Sequence, residues 1–183
     1  MDLLDLINRT SFLGPEFLTW LWYRSELQQG VFDAGGELGP FELWFDDKLT
    51  VGSVAINAQE NLFKGGHPAS SVEARIALRL GKQPSDAKLR IVRASQEWSF
   101  SLKADRLEAA GVKLPAVLSR EDDEVLTERM VLIEQLDTML KALLRQFLLL
   151  RVSPDWAAVE LPAIQAWVAS GGESVGVDGG GAP

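Results

Sequence analysis

Between Ala116 and Ser153 the chain contains neither glycine nor proline, and this uninterrupted stretch constrains the fold more than any other feature. About 30 residues at 1.5 Å each make a helix of roughly 45 Å, longer than most globular helices. Ser119 can cap its start, and Glu121, Asp122, Asp123 and Glu124 fall in the first turn, where the helix dipole favours carboxylates. Leu126, Ile133, Leu140 and Phe147 repeat at sevens, with Leu136, Leu143 and Leu150 in the second seam position. Leu132, Met139, Leu144, Leu148 and Leu149 widen the stripe until the last two turns are apolar nearly all round. Such a segment must be buried on several sides. Two partners suit it: the chain's own sheet, or a second copy meeting it along Leu136, Leu140, Leu143, Phe147 and Leu150.

The elements before it are shorter. Gly14-Pro15-Glu16 starts a helix with Phe17, Trp20 and Leu21 on one face, and Gly30 ends it. Phe41–Phe45 and Leu49–Val51 flank Asp46-Asp47, a hairpin pattern, and a third strand is expected within Val54–Phe63. Pro68-Ala69-Ser70-Ser71 can cap a helix from Val72 to Leu80 that Gly81 stops. Its spacing turns Val72, Ile76 and Leu80 to a core and leaves Arg75, Arg79 and Lys82 as a basic ridge. Lys88–Val92 and Glu97–Lys103 alternate strictly about Ala94-Ser95-Gln96, which predicts a second hairpin. Leu89, Ile91, Trp98, Phe100 and Leu102 then point inward, and Lys88 and Arg90 outward. Ser153-Pro154-Asp155 opens a last helical stretch that Pro162 should break. The expected class is α+β: small, mostly antiparallel sheets with packed helices and one long C-terminal helix. Residues 1–170 read as one domain and 171–183 as a flexible glycine-rich tail.

The residue inventory removes most chemistry. There is no cysteine, so disulfides, thiol nucleophiles and cysteine-based metal sites are excluded, and the single histidine, His67, reads as a loop residue. Lys64-Gly65-Gly66 lacks the spacing of a phosphate-binding loop, and Asp46-Asp47 is explained by turn chemistry. No nucleophile–base pair is recognisable, so no enzymatic activity, metal or cofactor is expected. Asp2 and Asp5 stand where a signal peptide carries positive charge, and no run approaches about 20 apolar residues. A cytoplasmic location without a membrane span is therefore expected.

The net charge of −8 conceals a segregation. Residues 1–60 carry 3 Lys/Arg against 10 Asp/Glu; residues 61–120 carry 11 against 5; residues 121–183 carry 4 against 11. The basic centre has two readings: neutralisation by adjoining acidic segments, or a basic face for an anionic partner.

Several stretches in this centre carry a family likeness. Trp22-Tyr23-Arg24-Ser25, the helix Glu73-Ala74-Arg75 through Leu80-Gly81-Lys82, the paired strands KLRIV and EWSFSL, the Lys-Ala-Asp-Arg-Leu segment and the leucine-rich helix follow in order. Over residues 17–150 they resemble the C-terminal half of the recombination-associated RdgC family of bacterial DNA-binding proteins. The resemblance implies a mixed α/β fold, homodimers closing a ring, binding of duplex DNA with little sequence preference, and no catalysis. It also places Lys64 near a DNA-facing basic loop. The corresponding expectation is that Lys64, Arg75, Arg79, Lys82, Lys88, Arg90 and Arg93 contact phosphates of duplex DNA in recombination or replication. The alternative is a homodimeric protein–protein interaction module without nucleic acid.

Overall fold

The computed structural model describes residues 13–52, 60–65 and 71–170. His67, most of the stretch in which the third strand was expected, and the glycine-rich C-terminus lie outside them. In order, the elements are α1 (Leu13–Leu27), β1 (Val31–Asp33), β2 (Pro40–Gly52), β3 (Asn61–Lys64), α2 (Val72–Arg79), β4 (Gln83–Arg93), β5 (Gln96–Lys103), β6 (Glu108–Lys113) and α3 (Asp122–Arg151). A π-helical turn, Trp156–Glu160, then leads into α4 (Leu161–Ser170). The class is α+β, with one six-stranded antiparallel sheet in the order β1-β2-β4-β5-β6. β3 joins β2 on the edge that β1 also uses, the two strands pairing with opposite ends of β2.

Period-2 alternation built the central hairpin as expected. β4 and β5 pair from Asp86↔Lys103 to Arg93↔Gln96, turning at Ala94, whose φ is 52°. Leu89, Ile91, Trp98, Phe100 and Leu102 are at most 3% exposed and share one face with Leu43 and Phe45 of β2. The helices pack over that face, where Trp22 of α1 meets Phe45 and the Trp98 indole N–H donates to the Leu132 carbonyl of α3 at 3.0 Å. The opposite face turns Trp44, Lys88, Arg90, Ser99 and Ser101 outward, and no described helix lies over it.

Asp46-Asp47 does not form the expected turn. β2 runs straight through it, because β4 offers a partner along its full length: Phe45 pairs with Leu89 and Leu49 with Ala87. The surplus residues of β2 form a bulge, and both carboxylates lean onto Lys88 of the neighbouring strand.

α2 starts as expected, with the Ser71 hydroxyl accepting from the Ala74 N–H at 3.1 Å. Its faces are exchanged, however. Val72, Ile76 and Leu80 are exposed, while Ala74, Ala77, Leu78 and the expected ridge residue Arg75 are buried. A small-residue face lets α2 approach the sheet, and Arg75 is drawn inward by a carboxylate and two indoles described below. At the C-terminus the chain passes Pro162 without breaking. The wider turn at Trp156–Glu160 precedes it, and proline's missing N–H is tolerated in the first turn of α4.

α3 also departs from expectation at its start. Glu121, not Ser119, is the capping position, and it makes no side-chain cap bond. The Glu128 carboxylate instead accepts from the backbone N–H groups of Leu118 and Ser119 at 3.0 Å each. Those two donors hold its carboxyl below the ordinary value of 4.5. α3 buries Leu132, Leu136, Met139, Leu143 and Phe147 against the sheet and α1. Leu136, Leu143 and Phe147 thus belong to the chain's own core and cannot meet a second copy, and Leu140 and Leu150 pack partly against it.

Gly14 marks the tightest approach in this packing. A Cβ there would collide with the Ala104 backbone carbonyl at the β5–β6 turn. Gly14→Ala is expected to cost about 1–3 kcal/mol, read as a lower urea midpoint with unchanged slope.

Candidate functional site

The expected phosphate contacts can be placed one by one. Arg75 is 4% exposed and lies in the helical layer. Its guanidinium is 4.1 Å from the centroid of the Trp167 ring and 5.8 Å from that of Trp22, and it pairs with Glu26. The Glu26 carboxylate also accepts from the indole N–H groups of Trp22 at 2.9 Å and Trp167 at 3.0 Å. Arg79, one turn on, donates to the carbonyls of Val168, at 2.9 Å, and Ala169. Together with the Arg75 bond to the Trp167 carbonyl, this places two cations at the C-terminus of α4, where the helix dipole favours them.

The rest are dispersed. Lys82 donates to the Asn61 side chain at 3.2 Å, and Arg93 donates to the carbonyls of Leu38 and Glu37 in the β1–β2 loop. Lys88 and Arg90 stand on the outer sheet face, each beside carboxylates: Lys88 lies 2.9 Å from Asp47 and 3.2 Å from Asp46, and Arg90 lies 3.6 Å from Glu97. Lys64 is exposed at the end of β3, opposite Lys48. Arg75 and Arg79 are separated from Lys88 and Arg90 by the sheet itself. The seven residues therefore do not form one surface.

The hydrogen bond from Lys88 holds the Asp47 carboxyl below its ordinary 3.8, and the same bond, then that to Asp46, raises the Lys88 ammonium above 10.5. The Asp47 contribution to stability is therefore present above pH 3.8 and lost as pH falls through its lower folded value. That of Lys88 is present below pH 10.5 and lost as pH rises through its higher one.

Among the many polar residues that the helical layer leaves outside runs one apolar row. On α3, Leu126 is 61% exposed, Met130 62% and Ile133 54%, and Leu140 and Leu144 are half-buried in line with them. The sevenfold repeat that drew attention to Leu126, Ile133, Leu140 and Phe147 joins residues of different environments. A straight helix drifts about 20° per heptad, so three heptads carry the repeat about 60° round, from solvent at Leu126 to core at Phe147. Met130 was missed; the 4-3-4-3-4 spacing of Leu126, Met130, Ile133, Asp137, Leu140 and Leu144 is the signal that identifies it.

A cleft of about 230 Å³ between α1, the end of α2 and α4 contains Glu16, whose carboxylate accepts from Arg151 at 2.7 Å. Among the described residues no group of three His, Cys, Asp or Glu could hold a metal ion. No described helix is long and apolar enough to cross a membrane.

Among the described residues, these features define an α+β chain with one helix-covered sheet face, one face that no described helix covers and an apolar helix stripe that they leave exposed. No family model matches the chain, and no curated protein or solved structure matches it significantly. The likeness to the RdgC family rests on the short stretches quoted above.

Arg75→Ala is expected to lower unfolding free energy by about 2–4 kcal/mol, because Glu26 loses its counter-ion in a half-buried site. Arg90→Ala, at an exposed pair, should stay within about 0.5 kcal/mol. In an NMR titration, Lys88→Met should return the Asp47 carboxyl toward its ordinary value.

Proposed function

We propose that this chain is a non-enzymatic protein–protein interaction module that self-associates through its long helix. The observation that carries this reading is the exposure of Leu126, Met130 and Ile133 in one row on a helix that buries Leu132, Leu136, Met139, Leu143 and Phe147 on another face. Scattered exposed leucines are ordinary on a protein surface, but an aligned row on one rigid helix is a contiguous patch of the kind that marks an interaction site.

Duplex-DNA binding, the expectation from the basic centre and the RdgC likeness, has less support. A phosphate contact needs a cation that can leave its protein partner, and most of the seven residues hold structural bonds to carboxylates or backbone carbonyls. Glu substitutions at Arg75 and Arg79 would set carboxylates against the C-terminal carbonyls of α4, so loss of folding would mask any effect on DNA.

Sedimentation velocity between about 1 and 100 µM should show a concentration-dependent monomer–dimer equilibrium. A labelled duplex at about 50 mM salt should show no saturable binding below about 1 mM protein. A strict monomer, or micromolar DNA affinity that weakens steeply by about 200 mM salt, would overturn the reading.

A further inference from the structure

We infer that the α3 stripe pairs antiparallel with the same stripe of a second copy, about a two-fold axis near residue 135. This rests on the self-association reading above and adds its geometry.

The stripe is self-complementary only in that direction. With the axis near residue 135, Leu126 faces Leu144 of the second copy, Met130 faces Leu140, and Ile133 faces Asp137. Each layer then combines one position of each heptad type, as antiparallel coiled coils do. A parallel pairing would instead set Asp137 against Asp137, two carboxylates in one apolar layer.

The charges along α3 run the same way. Asp122, Asp123 and Glu124 fill its first turn, and Glu128, Glu134 and Asp137 follow, with Arg129 the one cation among them. From Thr138 to Arg151 there is no acidic residue, while Lys141, Arg145 and Arg151 are basic. Acidic starts and basic ends also suit the dipole of a lone helix, but here they continue well beyond the terminal turns. Antiparallel packing sets the acidic half of each helix against the basic half of the other. On one flank of the stripe, helical spacing brings Lys141 beside Glu134 of the second copy and Arg145 beside Asp123.

Asp137 is the polar member of the seam. Its carboxylate is held by Lys141, four residues on, at 2.6 Å, and is half exposed in the single chain. A polar residue at one seam position lowers affinity and fixes register.

The chain has no cysteine, so single engineered thiols report the geometry directly. In the antiparallel dimer the two copies of residue 126 lie about 27 Å apart, far beyond disulfide reach, while residue 126 of one copy lies opposite residue 144 of the other. Mild oxidation of mixed Leu126→Cys and Leu144→Cys proteins should yield a heterodimeric disulfide, and either protein alone should yield none. Ile133→Lys should raise the dimer Kd at least about 30-fold and leave the circular dichroism melt unchanged at concentrations where both proteins are monomeric, since this side chain is exposed in the monomer. Asp137→Leu should lower Kd about tenfold.

A dimer that is indifferent to Ile133→Lys, or Leu126→Cys alone cross-linking, would overturn the antiparallel seam and leave self-association standing. A monomer at all concentrations, with the stripe covered by the chain's own N-terminal residues or by a different protein, would overturn both.

Discussion

Two carboxylates, buried Glu160 and half-exposed Glu26, each held by an arginine and by indole N–H groups, tie the helical layer together. Glu26 of α1 receives Trp22 of its own helix, Arg75 of α2 and Trp167 of α4. Glu160, in the π-helical turn, accepts from Nε and Nη2 of Arg24, at 2.7 and 2.8 Å, and from the Trp20 indole N–H at 3.0 Å. A charge beside so apolar a layer is tolerable only when it is paired and hydrogen-bonded, as each carboxylate is here by three donors, and removing one partner leaves the others uncompensated. α1 supplies a member to both nodes, so α2, α4 and the π-helical turn are all oriented by one helix. Tyr23, between the two nodes, has its phenol raised above 10.0 by burial and then by the Glu160 charge.

These nodes also account for the fate of the basic centre. Where a sequence offers Arg75 and Arg79 four residues apart, a solvated ridge and a buried clamp look the same until the partner elements are known. The clamp prevails because Trp22, Glu26 and Trp167 converge from positions far apart in the chain. None of that convergence is visible in local spacing. The acidic flanks and the basic centre, −7, +6 and −7 along the chain, do in part neutralise each other in space, through Glu26 with Arg75 and Asp46-Asp47 with Lys88.

How legible each element was follows from how local its determinants are. The two faces of the β4–β5 hairpin were legible, since strict alternation settles them, but its turn has two residues where three were expected and β4 begins at Gln83, ahead of the alternating run. The extent of α3 was legible from the absence of Gly and Pro, and its start was displaced by only a few residues. Its faces were not: one helix carries two apolar stripes side by side, and a sevenfold repeat read along the chain drifts from one to the other. β2 was divided at Asp46-Asp47 because turn-forming residues and a bulge share the same composition, and only the unbroken run of β4 beside it decides between them. The seven cations were identifiable as cations, but their partners, mostly backbone carbonyls and distant carboxylates, were not.

The course of β2 has a consequence for how the chain reaches this structure. β4 meets β5 across a turn of two residues, so that ladder closes at almost no loop entropy. β2 meets β4 over a long intervening segment, residue 52 pairing with 83 and residue 42 with 92, and that segment carries β3 and α2. Closing the sheet therefore organises the middle of the chain before the reward of strand pairing is collected, a high contact order that slows folding. The hairpin is the natural early nucleus, with β2 adding later and giving α1 the platform on which its tryptophans close.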